Sequence, residues 1–159
     1  MTEDGSINLK LYSELFVKYM NKVSKEINLN NTFFTNPHGL DSKESFSTVK
    51  DISILMNKLS SLPPCMKVMS TKQYFARLKH SVGSKSINFR EADWMNTNRL
   101  LWKSNYIGGK TGQTVSAGNC LANVYGGSGV NFFIVVLGCS SREDRFLDTE
   151  KLVSKFLKN

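Results

Sequence analysis

The sequence predicts an α+β fold, a mostly antiparallel sheet flanked by helices, and three observations carry that expectation. Two early stretches repeat apolar residues at helical spacing. Two β-rich stretches, CLANVY and VNFFIVVLG, flank a GGSG turn, and a third helical pattern closes the chain. The 159 residues are enough for one compact unit with a hydrophobic core. At 40% apolar and 21% charged residues, with only three prolines, the composition excludes a disordered chain. No internal repeat or linker divides residues 1–159, so a single domain is expected.

From Leu11 to Ile27, apolar residues recur at positions 11, 15, 16, 19, 20, 23 and 27, one face of an amphipathic helix, and Asn28 and Asn30 lie where it should stop. In NTFFTNPHGLD, residues 31–41, the Asn-Pro and His-Gly pairs are turn chemistry and predict a loop that packs Phe33 and Phe34 inward. A second helix follows, with Val49, Ile52, Leu55, Met56 and Leu59 on one face. Ser47 or Thr48 can cap it, Asp51 suits its positive end, and Pro63 and Pro64 lie just beyond it. Residues 68–92 read as a hairpin turning near HSVGSKS, and DWMNTNRLLWKSNY reads as irregular with a Leu-Leu-Trp cluster. The GGSG hairpin comes next, and its second strand is apolar enough to be buried on both faces. The closing helix, in SREDRFLDTEKLVSKFL, gathers Phe146, Leu152, Val153, Phe156 and Leu157 near one face, with Ser141 as its cap.

The net charge of +8 comes mostly from scattered lysines, which reads as a solvated surface rather than a nucleic-acid footprint. No run approaches the roughly 18 apolar residues of a membrane span. The opening MTEDGSINLK has neither the basic nor the apolar region of a signal peptide. Cys65, Cys120 and Cys139 form no Cys-x-x-Cys, and His38 and His80 have no partner at ligand spacing, so neither a metal site nor a cofactor is expected. Cys120 and Cys139 are expected in adjacent strands as small buried apolar residues.

The chemistry concentrates in GGKTGQTVSAGNCL, residues 108–121. On an edge strand, Lys110 would place a positive charge beside a nucleophile and a substrate carboxylate, and the Thr111 hydroxyl could bind that carboxylate. Gly112 has no side chain, so a substrate backbone could approach as an added strand. Alone, the tripeptide would be a glycine-rich turn with an exposed lysine. It stands, however, in an ordered series with TFFTNPHGLD, FSTVKDISILM, NTNRLL and VVLGCSSREDRFLDTEKLVSKF.

Through these blocks the chain, from about Leu15 to Phe156, resembles the serine D-alanyl-D-alanine carboxypeptidases, the low-molecular-mass penicillin-binding proteins. The resemblance implies the fold shared with serine β-lactamases. It also implies a three-part site: a Ser-x-x-Lys carrying the nucleophile, a Ser-x-Asn for proton transfer, and a Lys-Thr-Gly wall. It places Lys110, Thr111 and Gly112 in that wall, with Thr114 in the same block and Arg145 where the family has an arginine that reaches the terminal carboxylate. Residue Arg145 also reads as an exposed helix arginine paired with Glu143 or Asp148. The implied substrate is a D-Ala-D-Ala stem peptide or a β-lactam, turned over through an acyl-enzyme in a secreted, periplasmic or cell-envelope setting.

Ser47-Thr48-Val49-Lys50 fits Ser-x-x-Lys, and Ser86-Ile87-Asn88 fits Ser-x-Asn. Both are decoys on this reading: FSTVKD caps a peripheral helix in the family, and Ser86–Asn88 falls in the expected hairpin. Ser6-Ile7-Asn8 lies too near the first helix. The family's first two elements come before that helix, so the nucleophile is unassigned and the chain is expected to be an N-terminally truncated catalytic domain, inactive alone. The alternative expectation is a non-catalytic module of the same fold that binds peptidoglycan or another anion. Loss of sheet neighbours for Val130–Leu137 would leave apolar surface exposed and the chain prone to aggregate.

Overall fold

A computed structural model describes residues 8–82, 86–127 and 130–158. Ser6 and Ile7 of the third Ser-x-Asn match, and parts of both expected hairpin turns, lie outside the described residues.

Helix α1 (Leu9–Glu26) begins where Asn8 Oδ1 accepts a hydrogen bond from the Leu11 amide at 3.0 Å. It ends where Asn28 N–H reaches Lys25 O at 3.1 Å and Leu29 N–H reaches Ser24 O at 2.8 Å. Asn28 sits at φ 61°, a conformation asparagine tolerates better than most residues, and this closes a Schellman motif at the predicted stop. The apolar face read from the spacing is not buried along the first turns. Leu11, Leu15, Phe16 and Tyr19 are exposed, because among the described residues α1 makes no extensive contact with either sheet. Its last turns are tethered by Asn21, which donates to Phe34 O at 2.7 Å and accepts from Phe34 N at 2.8 Å. The inward loop is corrected as well: Phe33 is exposed and stacks on Phe46, with ring centroids 6.4 Å apart.

Helix α2 (Val49–Ser60) is capped by Thr48 rather than Ser47: Thr48 Oγ1 accepts from the Asp51 amide at 3.1 Å. The buried Asp51 carboxylate accepts from Asn31 N at 2.7 Å and from the Thr32 hydroxyl at 2.8 Å, pinning the preceding loop to the helix start. Pro63 and Pro64, expected to mark a helix end, instead open a further helix, α3 (Pro63–Ser70). Proline suits the first helical positions, where its missing N–H costs nothing.

Strands β1 (Gln73–Val82) and β2 (Ser86–Met95) form the expected hairpin, but as a separate two-stranded ribbon with Tyr74 opposite Trp94. The single expected sheet is therefore two. A 3-10 turn, Arg99–Trp102, drives Leu100 and Leu101 into the core, which accounts for the Leu-Leu-Trp cluster. The second sheet contains β3 (Tyr106–Thr114), β4 (Gly118–Gly127) and β5 (Val130–Cys139) in that spatial order, all antiparallel. Helix α4 (Asp144–Phe156) follows a reciprocal pair in which Ser141 Oγ accepts from Asp144 N at 3.1 Å and Asp144 accepts from Ser141 N at 3.0 Å.

Both faces of the three-stranded sheet are covered, as the apolar character of β5 requires. On one face Leu121, Tyr125 and Val136 meet Phe146 and Val153 of α4. On the other, Ala122, Val124 and Val135 meet Met56 of α2 and Met69 of α3. Alternate residues of β4 thus serve opposite layers. Cys120 and Cys139 do lie in adjacent strands but are half-buried rather than buried. Strand β5 contains no proline or charged residue and, among the described residues, pairs only with β4. No helix among the described residues is long and apolar enough to cross a membrane.

Candidate active site

The Lys110–Gly112 segment lies on β3, at the edge of its sheet, with Lys110 opposite Ala122, Thr111 opposite Leu121 and Gly112 opposite Cys120. A free strand edge presents a row of backbone donors and acceptors, the geometry by which an extended peptide adds to a sheet.

The strand is held by its ladder with β4, and beneath it lies a buried amide pair. Asn98 donates through Nδ2 to Asn123 Oδ1 at 3.1 Å and accepts from Leu100 N at 3.3 Å, while Asn96 Oδ1 accepts from Asn98 N at 2.9 Å. Gly109 passes over this pair so closely that a β-carbon there would lie 2.5 Å from Asn123 Oδ1 and 2.7 Å from Asn98 Nδ2. At Gly112 the same added carbon would meet only Cys120 Cβ at 3.8 Å, an ordinary contact. The two glycines therefore serve different ends: Gly109 lets the strand sit on its support, whereas Gly112 keeps the outer surface smooth.

Lys110 is exposed, and its ammonium donates to the carbonyl of Thr111. Among the described residues it enters no salt bridge. Thr111 is buried, and its hydroxyl lies 2.6 Å from that of Thr97. Thr97, in the NTNRLL block, was missed by the sequence reading, which used that block only for resemblance. Thr114 Oγ1 accepts from Ala117 N at 3.1 Å and shapes the β3–β4 turn, which Gly118 completes at φ 67°.

Arg145 is not an exposed, ion-paired helix residue. Glu143 pairs with Arg99, and Asp148 with Lys151. Arg145 is 6% exposed, donates from Nη1 to the Gly112 carbonyl at 3.2 Å, and leaves its buried Nε without a partner. Burial, then the nearby Arg142 charge, pulls its pKa below the usual guanidinium value. Guanidinium remains charged in proteins, so a largely buried cation with an idle donor lies directly beneath Gly112 and would gain from an incoming carboxylate.

A cleft of about 400 Å³ separates the loop at residues 33–47 from the end of β3, with Phe34, Asp41, Ser47, Gly112, Thr114 and Cys120 on its walls. Asp41 spans it by accepting from Ser116 N at 3.1 Å. The Thr114 hydroxyl first, then the Ser116 amide, holds the Asp41 carboxyl below its usual pKa. A depressed folded-state value means that this contact contributes above the unfolded pKa of about 4 and is lost as pH falls through the lowered value. The Ser116 amide proton should therefore shift upfield on acid titration with a midpoint below that of a free aspartate, and Asp41→Asn should abolish the titration. An ordinary midpoint would disprove the latch.

Ser47 lies on this cleft wall, yet its hydroxyl is 2.8 Å from that of Thr32, which donates on to Asp51. Lys50, its partner by pattern, is exposed in the first turn of α2, and among the described residues no hydrogen bond joins them. The Ser86–Asn88 match lies on β2, and its side chains lie outside the described ones.

The chain is 35% identical over 144 residues to the D-alanyl-D-alanine carboxypeptidase DacC of Escherichia coli K12, covering 89% of this chain and 33% of that protein. It is 32% identical over 142 residues to DacF of Bacillus subtilis, covering 88% and 34% respectively. Among solved structures, the Streptomyces K15 DD-transpeptidase superposes with a TM-score of 0.79 at 29% identity, over 87% of this chain and 52% of the other. Penicillin-binding protein D2 of Listeria monocytogenes, in its cefotaxime-bound form, gives 0.71 at 30% identity, over 87% and 53%. The chain thus spans about a third of the length of these curated relatives. With the family profile Peptidase_S11, D-alanyl-D-alanine carboxypeptidase, matching residues 12–141, the chain belongs to the D-alanyl-D-alanine carboxypeptidase family.

Proposed function

We propose that this chain supplies the substrate-holding wall of a serine-type D-Ala-D-Ala carboxypeptidase of the cell envelope. In this reading an extended stem peptide adds to the free edge of β3 across Gly112. Its terminal carboxylate falls between the Thr111 hydroxyl and the Arg145 guanidinium, and Lys110 supplies positive charge on the cleft side. Thr114 holds the turn at the mouth of the cleft. The observation that carries the reading is Arg145, a largely buried cation with an idle Nε directly beneath the KTG backbone. A β-lactam, whose carboxylate mimics the stem terminus, would lie on the same strand.

The nucleophile is not assigned to Ser47, whose hydroxyl is committed to the Thr32–Asp51 network rather than to a lysine. Among the described residues no serine hydroxyl is hydrogen-bonded to a lysine ammonium, and positioning groups alone leave little rate. The chain should therefore bind a D-Ala-D-Ala peptide without turning it over, and intact mass spectrometry after incubation with a reactive penicillin should show no added mass. Lys110→Ala should weaken peptide binding roughly tenfold or more, since a charge-assisted contact contributes about 1.5–3 kcal/mol. A penicilloyl adduct mapped to any serine would overturn the assignment, and indifference to Lys110→Ala would remove the wall. Salt-sensitive binding to cell-wall peptides that persists with every other part of the fold present and still without turnover would favour the non-catalytic module.

A further inference from the structure

We propose that the groove between α3 and the base of the β1–β2 ribbon is a saccharide subsite, holding a sugar ring of the glycan that carries the stem peptide. The proposal rests on the reading of β3 as the stem-peptide wall and adds to it a place for the polymer beyond the peptide.

The groove encloses about 450 Å³, with Lys67, Val68 and Thr71 on the α3 side and Tyr74, Trp94 and Met95 on the ribbon side. Tyr74 and Trp94 are cross-strand partners whose rings lie parallel within 4°, with centroids 6.2 Å apart. They are 59% and 50% exposed, and Val68 is 74% exposed. Core packing does not explain them, because the ribbon pairs with no other strand among the described residues and covers no buried cluster. The two rings stack across the ribbon, and each keeps about half or more of its surface in water, so an outer ring face is open to a ligand.

The polar groups around them are also unengaged. Among the described residues, no hydrogen bond or ion pair involves the Lys67 ammonium, the Tyr74 hydroxyl or the Trp94 indole N–H. An apolar platform with a few convergent donors suits a pyranose ring: its C–H face lies on the aromatic rings, and its hydroxyls and acetyl carbonyl take the donors. A single cation among apolar side chains favours such a neutral ring over a phosphate polymer, which calls for several positive charges.

Position supports the assignment. Asn96 closes one end of the groove, donating through Nδ2 to Thr71 O at 2.9 Å. The next residue is Thr97, whose hydroxyl lies 2.6 Å from that of Thr111 on the KTG strand. On the α3 side, Met66 reaches to within 3.0 Å of where a β-carbon at Gly108 would stand. One residue thus separates the groove from the wall in the chain, which places the two sites next to each other.

The test titrates the chain with the trisaccharide of N-acetylglucosamine and follows tryptophan fluorescence in a Trp102→Phe background, which leaves Trp94 as the reporter. A saturable quench is expected, weakened about tenfold or more by Tyr74→Ala. Backbone amide shifts read the same titration in Trp94→Ala, where binding should be weakened as much. Both side chains are exposed, so thermal melting and circular dichroism should stay near the parent values and separate lost binding from lost folding. Lys110→Ala should leave saccharide binding intact while weakening the stem peptide, so failure of the wall and failure of the groove are read apart. Absence of saturation, or saturation unchanged in Trp94→Ala, would overturn the subsite. So would displacement of the sugar by a D-Ala-D-Ala peptide that carries none, since it would assign the rings to peptide.

Discussion

Alanine at Gly109 is expected to destabilise the chain by about 3–5 kcal/mol, while alanine at Gly112 leaves the fold intact and removes peptide binding. The two glycines stand three residues apart on one strand, and their surroundings decide the difference. A β-carbon at Gly109 would sit 2.7 Å from the Ala122 carbonyl as well as pressing on the Asn98–Asn123 amides. The carbonyl is backbone paired within the sheet, so it cannot swing away as a flexible side chain would. Overpacking of this kind costs about 1–3 kcal/mol, and each buried amide forced off its partner adds a similar amount. Set against a total stability of about 5–15 kcal/mol, that loss should move the urea midpoint far enough to read without ambiguity. At Gly112 the added methyl meets Cys120 at ordinary contact distance, and the stability should stay within about 0.5 kcal/mol of the parent. The methyl would nevertheless project from the strand where a substrate backbone must lie. A Gly112→Ala chain that binds D-Ala-D-Ala peptide like the parent would rule out strand addition at this edge.

Asp51→Ala is the second large effect expected, at about 2–4 kcal/mol. The carboxylate is buried and accepts from both Asn31 N and the Thr32 hydroxyl, at the helix end where a negative charge is favoured. Removing it takes the shared acceptor from the Asn31 amide and the Thr32 hydroxyl and frees the loop that carries Asp41. For a chain of this size the melting temperature should fall by about 5–15 °C. The Ser116 amide should also report the change, because its partner is carried by the loop that Asp51 anchors. Asp51→Asn keeps an acceptor without the charge and should fall between. If Asp51→Ala melted with the parent, the carboxylate would be a bystander and the Thr48 cap alone would hold the helix start.

The helical elements were legible because apolar spacing reports them directly, and the end of α1 because asparagine accepts a left-handed backbone that few residues tolerate. The helix opened by Pro63 and Pro64 was misread since proline marks starts and stops alike, and only the residues that follow decide between them. Periodicity could not reveal that Leu11, Leu15, Phe16 and Tyr19 face water, because it records which residues share a face and not what lies opposite. In the candidate site, Lys110, Thr111, Gly112 and Arg145 were singled out through ordered blocks of sequence. The contacts of Thr97 with Thr111, of Asn98 with Asn123 and of Asp41 with Ser116 join residues 14, 25 and 75 positions apart, which no local pattern encodes.

Strand β5 bears on how such a chain survives its own synthesis. Natural sheets blunt their borders with charge, proline or a bulge; Val130–Cys139 carries neither charge nor proline, and its register with β4 shifts only at its far end, between Val136 and Cys139, while its outer side meets no other strand among the described residues. Its apolar side chains serve both layers of the core, so the strand cannot be made polar without emptying them. Before its irregular end, that border offers an extended polypeptide a line of backbone groups to pair with. The fate of a newly made molecule becomes a race between a complementary strand and another copy of itself, decided by local concentration and time rather than by the depth of the folded minimum.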